Sequence, residues 1–240
     1  MPAFSTGSPL HAAMLIVIAA ALALATLGRR RATDVVAARR IEQRIAIGYL
    51  VLWTATFVWL NRQPDFDPTT DWPLQLCHWA AVAAALGLMT QRRVFRTLAY
   101  FWGLALCTQA LVTPNLTDGP ATWPFWFFWS THAMTVVVPL YDVLARGFRP
   151  AWRDYAIACA GAALYVAIVL PIDLASGWNY GFVGPSRPEV PTIVDLLGPW
   201  PRRLLHIAAL AAGVMALLML PWTGRRLTRT RVRWRRMRRA

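Results

Sequence analysis

The sequence predicts an all-α fold: a polytopic membrane bundle of seven transmembrane helices, N-terminus outside and C-terminus cytoplasmic. Three observations predict it. The 240-residue chain is 57% hydrophobic with a mean hydropathy of +0.41, more apolar than a soluble domain. Only 15% of it is charged, and the charges cluster between apolar runs. The basic residues, all arginine, alternate from one connection to the next. The first two observations exclude an ordinary soluble enzyme, and the third orients the bundle.

Seven runs are long enough to cross a hydrocarbon layer about 30 Å thick. They cover residues 9–28, 44–61, 73–90, 95–112, 124–144, 155–171 and 201–222. No arginine precedes the first run, and Arg29, Arg30 and Arg31 follow it. A secretory signal carries its charge in front, so this run reads as an anchor that translocates its short N-terminus. Ala23 and Ala25 are the small-residue pair that would permit processing. The second and fourth runs are short and interrupted by polar residues. The third carries a small-residue stripe, Ala81, Ala84 and Ala85, of the kind that lets membrane helices approach closely. The fifth opens on a tryptophan-rich stretch from Trp123 to Trp129 that reads as an interfacial belt. Pro139 predicts a kink in it, which frees carbonyls. The sixth and seventh are continuous apolar runs.

Of the 25 basic residues, 21 fall in the connections after the first, third and fifth spans, with the edges of the adjoining spans, and in the C-terminal tail. Arg62, Arg187, Arg202 and Arg203 fall on the other side. Cytoplasmic connections are enriched in arginine, which sets the orientation. Asp65, Asp67, Asp71, Asp118, Asp173, Glu189 and Asp195 then lie outside, and Asp34, Glu42, Asp142 and Asp154 inside.

The chain divides into a transmembrane domain, residues 1–224, and a basic cytoplasmic tail, residues 225–240. The tail, from Arg225 to Ala240, holds nine arginines and no acid, and contributes most of the +14 net charge. A basic segment directly after a last span attracts anionic inner-leaflet lipids, at about 1 kcal/mol per residue near the surface. Nucleic-acid binding is the rival use of such a run and is not expected. The location read from these features is a bacterial inner membrane.

Chemistry concentrates where the third span begins, at Gln75, Cys77 and His78. Ionisable and polar groups are costly within a bilayer and mark functional sites by default. The fourth span ends in Cys107, Thr108 and Gln109, followed by Asn115; the fifth carries Thr131 and His132; the seventh carries His206. Four spans thus bring polar groups to the outer half of the bundle. Cys77 shares its face with the alanine stripe and is expected to point inward. His78 shares its face with Leu74, Val82 and Met89 and is expected to face lipid. His11 reads as interfacial. The bland reading makes Cys77, like Cys107 and Cys159, a small hydrophobe, and makes Gln75, Gln109 and His132 interhelical glue. The chemical reading pairs Cys77 as nucleophile with His132 as base. At helical rise Cys77 lies about 6 Å, His206 about 8 Å and His132 about 12 Å below their helix starts, a gap that helix tilt would close.

All three cysteines fall in spans, so no disulfide framework is expected. No Cys/His spacing matches a zinc site, and no glycine-rich phosphate loop or internal repeat is present; no metal and no soluble cofactor are expected. The outer connection of residues 172–200 is long and contains Asn179, Tyr180 and Gly181. Long ordered connections serve as lids or binding segments; the alternative is a loose loop.

Several segments, in order from the third span to the seventh, carry a family likeness. They are the stretches 73–77, 99–103 and 109–116, Phe127 and Phe128 with His132, then 179–181 and 197–201. The chain resembles the bacterial YwaF-type integral membrane proteins. That family is similar in turn to a eukaryotic multi-pass phospholipid acyltransferase family. The resemblance implies an acyl chain moved between membrane phospholipids through a cysteine, with a histidine assisting; by resemblance these fall on Cys77 and His132. Gln75, Gln109 or Asn115 would donate hydrogen bonds to the developing oxyanion, with Thr131, Asn179, Tyr180 and His206 as supporting groups. Two other classes stand beside this one. A small-solute transporter or ligand-binding membrane protein would use the same cluster as its site, although no span shows a convincing buried acid and no inverted repeat is visible. A membrane scaffold would use it only to join helices.

Overall fold

The computed structural model describes residues 4–116, 118–185 and 193–223. Each helix follows from local signals. Helix α1 (Pro9–Arg31) starts with Pro9 in its first turn and Ser8 accepting from the His11 N–H at 3.2 Å, and ends on Arg29, Arg30 and Arg31. Cations there suit the negative end of the helix dipole. Asp34 caps α2 (Val35–Leu60), accepting from the Val36 and Ala37 N–H groups at 2.8 and 2.9 Å. Helix α3 (Leu76–Thr90) stops where Gln91 turns left-handed. The next rod is a composite: α4 (Arg93–Leu98), a π segment (Ala99–Cys107) and α5 (Gln109–Val112). Then come α6 (Trp123–Leu144), α7 (Trp152–Ser176), which ends at a left-handed Gly177, and α8 (Arg203–Leu217). Short 3-10 turns occupy Tyr180–Phe182 and Ile193–Leu197. No strand occurs among the described residues.

Three helices, α1, α2 and α7, are long and apolar enough to cross a membrane; α3 and α8 are shorter apolar helices. The span expected at residues 44–61 belongs to a helix that begins nine residues earlier, at Val35. The sixth expected span, α7, likewise runs past Pro171 to Ser176, so the proline does not end it.

Helix α3 is the hub. It packs against α2, α4, the π segment and α6, and its alanines Ala80, Ala81, Ala84 and Ala85 are fully buried. Small side chains let four neighbours approach it. A second close approach joins the π segment to α6. Pro139 has no N–H to offer the Thr135 carbonyl one turn before it, and a Cβ on Gly103 would collide with that carbonyl oxygen. Only glycine lets the π segment lie against the backbone that the proline leaves open.

Contacts sort the rod ends into two groups. The start of α1 meets the end of the composite rod through His11 and Leu111, and the start of α6 meets the end of α2 through Trp123 and Thr56, 3.1 Å apart. At the opposite end, Arg30 reaches the Leu144 carbonyl, and Arg93 reaches Asp154. We call these the histidine end and the arginine end. The tail from Arg225 to Ala240 lies outside the described residues.

Candidate functional site

The histidine end places the chemistry-bearing residues under a cap. Tyr180 is fully buried. Its hydroxyl donates to the Pro68 carbonyl at 2.7 Å and accepts from the Trp72 N–H at 2.9 Å, while its own N–H donates to Asp173 at 3.0 Å. Burial pushes the Tyr180 phenol up from its ordinary range, which keeps this double bond-maker protonated. Gly181, left-handed at φ 60, donates its N–H to Gln75 Oε1 at 3.1 Å. Tyr165 of α7 donates to the Leu74 carbonyl at 2.7 Å. The long outer connection is therefore pinned, in its described parts, onto the start of α3. Gln75 acts here as an acceptor that holds the cap. Asn179 Oδ1 is buried without a hydrogen-bond partner.

Beneath the cap, Cys77 is a free, half-buried thiol packed with Leu76 and Trp79 against the core. Tyr49 of α2 and Tyr165 of α7 lie within electrostatic reach of its sulfur. Tyr49 also donates to the Thr131 hydroxyl at 3.4 Å, tying α2 to α6 beside His132. The His132 ring is buried and tilted over Phe128, with centroids 4.1 Å apart. Its Nδ1 lies 2.8 Å from the Phe128 carbonyl. A carbonyl only accepts, so Nδ1 carries the proton and Nε2 keeps its lone pair. Cys77 and His132 therefore sit on directly packed helices; no hydrogen bond joins them among the described residues.

His78 adds to the sequence reading. It is half-buried, and its ring is held by aromatic side chains. Its ring stacks on Phe127 at 5.9 Å and meets Phe57 edge-on at 5.1 Å, with Trp53 6.4 Å away. It lies within electrostatic reach of His132. Its Nδ1 and the Trp53 Nε1 are buried without partners. Val82 and Met89 on the same face are, like His78, half-buried, so this face is partly covered by the aromatic rings of α2 and α6. Trp53 and Phe57 also line a shallow groove of about 430 Å³ with Asn61, Arg62 and Trp72. The aromatic box is thus one wall away from the bundle surface.

The remaining candidates scatter. Gln109 and Asn115 are exposed on the far end of the composite rod. They were named for lying at the outer end of the fourth span, and depth alone does not decide whether a side chain points into the bundle. His206 is exposed, and its Nδ1 bonds the Leu197 carbonyl at 2.7 Å; it fastens α8 to the 3-10 turn. His11, expected at the interface, is buried. It accepts at Nδ1 from the Gly7 N–H at 3.0 Å and donates from Nε2 to the Leu111 carbonyl at 2.8 Å. Sequence reasoning named His11 and His78 but not their partners, Leu111 for one and Phe57 and Phe127 for the other, because a lone histidine in an apolar run carries no signal for them. Among the described residues no cluster of three or more His, Cys, Asp or Glu has metal-binding geometry.

The expectation that spans lack buried acids is also corrected. Glu42, Asp142, Asp154 and Asp173 are all buried. The first three sit at the arginine end and are ion-paired; Asp173 accepts from the cap.

A sequence model of the TMEM164 family matches residues 5–219. A curated relative, an uncharacterized protein of Treponema pallidum (strain Nichols), is 27% identical over 150 residues, 62% of this chain and 61% of the relative. The chain thus spans about three fifths of the length of that relative. No solved structure matches. With an all-helical bundle of membrane type and a match running through all of its described helices from α1 to α8, the chain belongs to the TMEM164 family.

Proposed function

We propose that this protein transfers or hydrolyses acyl chains of membrane phospholipids through Cys77 and His132. The observation that carries the reading is the state of His132. Its Nδ1–H is committed to the Phe128 carbonyl, so Nε2 is free to take a proton, on the helix that packs against the helix of the Cys77 thiol. In the first step His132 Nε2 takes the Cys77 proton as Sγ attacks the ester carbonyl carbon. The ester C–O bond breaks, the leaving alcohol takes the proton from the imidazolium, and an acyl-thioester remains. In the second step Nε2 takes a proton from an acceptor hydroxyl, or from water. That oxygen attacks the thioester carbon, and the Cys77 thiol is regenerated. The cap partly covers Cys77, and the further it limits water the more it favours an alcohol acceptor over hydrolysis. The groove beside Trp53 supports a lipid approaching from the side of the bundle.

The reading includes seven spans, an outer N-terminus, a cytoplasmic C-terminus, a bacterial inner membrane and the likeness to YwaF-type proteins. It also seats the Arg225–Ala240 tail on anionic inner-leaflet lipids; the fall in binding of a tail peptide to anionic vesicles with rising salt tests that contact. A transport role is less favoured, because three of the four buried acids are locked in ion pairs.

The test is purified protein with labelled phospholipid, reading acyl movement and intact mass. Cys77→Ser and His132→Ala should each lose at least about a hundredfold, and the double variant no more than either, because paired residues are non-additive. Cys107→Ser and Cys159→Ser should be nearly silent. Full activity in Cys77→Ser would end the mechanism.

A further inference from the structure

The arginine end holds more positive charge than its acids balance. Glu42 pairs with Arg29 at 3.4 Å and Arg39 at 3.1 Å, and also accepts from the Tyr141 hydroxyl. Asp142 takes Arg96 in a two-pronged contact at 2.6 and 3.0 Å. Arg146 reaches the same two carboxylates only through Nε, at 3.9 and 3.4 Å. Four guanidinium groups therefore share two carboxylates. The neighbouring acids do not relieve the excess. Asp154 is taken by Arg93, Asp34 caps α2, and the tail that follows this end contains no acid.

Arg146 is where the excess is unanswered. Its side chain is only 5% exposed, yet Nη1 and Nη2 are both buried without a hydrogen-bond partner. A buried guanidinium with two idle donors is costly, and the usual answers are an ion or water. Two lone carbonyls would not answer the charge, and those nearby are used: Leu88 and Met89 accept from Arg39, and Leu144 accepts from Arg30. Burial also pulls the Arg146 proton affinity below the usual arginine range, even with Asp142 and Glu42 beside it. A second charge-neutralising oxyanion would reverse that. Two parallel N–H donors on one planar group fit two oxygens of a phosphate.

We infer that the arginine end is an anion site for a phosphate group, with Arg146 Nη1 and Nη2 as its donors and Arg29, Arg39 and Arg96 as the surrounding charge. It lies at the opposite end of the bundle from Cys77 and is independent of the acyl-transfer reading. The phosphate is either a lipid headgroup or free in solution.

Thermal unfolding of the full chain in nanodiscs distinguishes these. Inorganic phosphate is titrated in zwitterionic nanodiscs, against sodium chloride at equal ionic strength. In a second arm, nanodiscs containing phosphatidic acid replace the zwitterionic ones. Arg146→Gln and the partly exposed Arg29→Gln are compared with the parent; all carry the same tail, so differences report the cluster. Stabilisation by phosphate that is at least about tenfold weaker in Arg146→Gln supports a free-phosphate site. Stabilisation only by phosphatidic acid, weakened in the same way, supports a headgroup site. If Arg146→Gln does not fold, the same weakening in Arg29→Gln supports the site. No stabilisation in either arm, or equal stabilisation of the parent and every variant that folds, overturns it.

Discussion

The two ends of this bundle solve the same problem with different chemistry. Both bury polar groups between helices. At the arginine end the groups are charged and meet in bidentate pairs, Arg93 with Asp154 and Arg96 with Asp142. At the histidine end they are mostly neutral, and several are idle: His78 Nδ1, Trp53 Nε1, Trp129 Nε1 and Asn179 Oδ1. Ion pairs hold helices together but leave little freedom for chemistry. Neutral imidazole, indole and amide groups are cheaper to bury unpaired, and they remain available to a ligand. Idle groups remain at both ends, Arg146 Nη1 and Nη2 at one and neutral side chains at the other; the difference lies in what each end suits, a charged oxyanion or a neutral group.

Three experiments would break or sharpen this contrast. The largest effect is all-or-none. A compartment-sensitive reporter after Ala240 should be active only in the cytoplasm, and one near Asp118 only outside. Cytoplasmic signal at Asp118 would leave the two ends without the sidedness proposed for them. Next is Asp142→Ala, which strands Arg96 and worsens the excess around Arg146. Removing one partner of a buried pair costs about 3–5 kcal/mol. Chemical denaturation should show that loss, and a change below about 1 kcal/mol would mean that the clamp is not structural. The smallest effect belongs to His78→Phe. It replaces an unbonded ring with an apolar one of similar shape, inside an aromatic box. Stability should stay within about 1 kcal/mol of the parent. A drop of more than about 2 kcal/mol would show that the imidazole makes a structural bond and is not idle.

The helices were legible in the sequence because apolar length and arginine spacing are local signals. The caps were not read: Asp34 before α2 and Gly177 after α7 lie outside the spans expected at 44–61 and 155–171, because apolar length marks a span and not the polar turns that extend its helix. The arginine clamp was not legible either. Its partners lie far apart in sequence, 46 residues for Arg96 and Asp142 and 61 for Arg93 and Asp154, and an arginine that signals topology looks the same as one that pairs. The aromatic surroundings of His78 were not legible for a different reason: Phe57 and Phe127 come from other helices, and periodicity within α3 cannot name them. Gln109 was named from its position at the end of the fourth span, and position along a helix does not say which way a side chain faces. Cys77, His132 and Thr131 were expected at one end of the bundle from rise per residue alone, and they lie on directly packed helices. Their companionship with Tyr49 and Tyr165 depended on tertiary packing that no spacing encodes.

The Tyr180 anchor carries a consequence for how the molecule is made. Its hydroxyl grips Pro68 and Trp72, 112 and 108 residues earlier in the chain, and the next residue grips Gln75. Ribosomes deliver the chain in order. The start of α3 therefore leaves the ribosome, and enters the membrane, long before the segment that roofs it exists. Until residue 181 has emerged and crossed to the same side, the Leu74 carbonyl, Gln75 and the Cys77 thiol below them lack their cover. A nascent chain stalled just before that point would hold every helix through α7 and still present a cysteine without its roof. The closing of this roof is a late event in biogenesis, and thiol labelling of Cys77 during synthesis would time it.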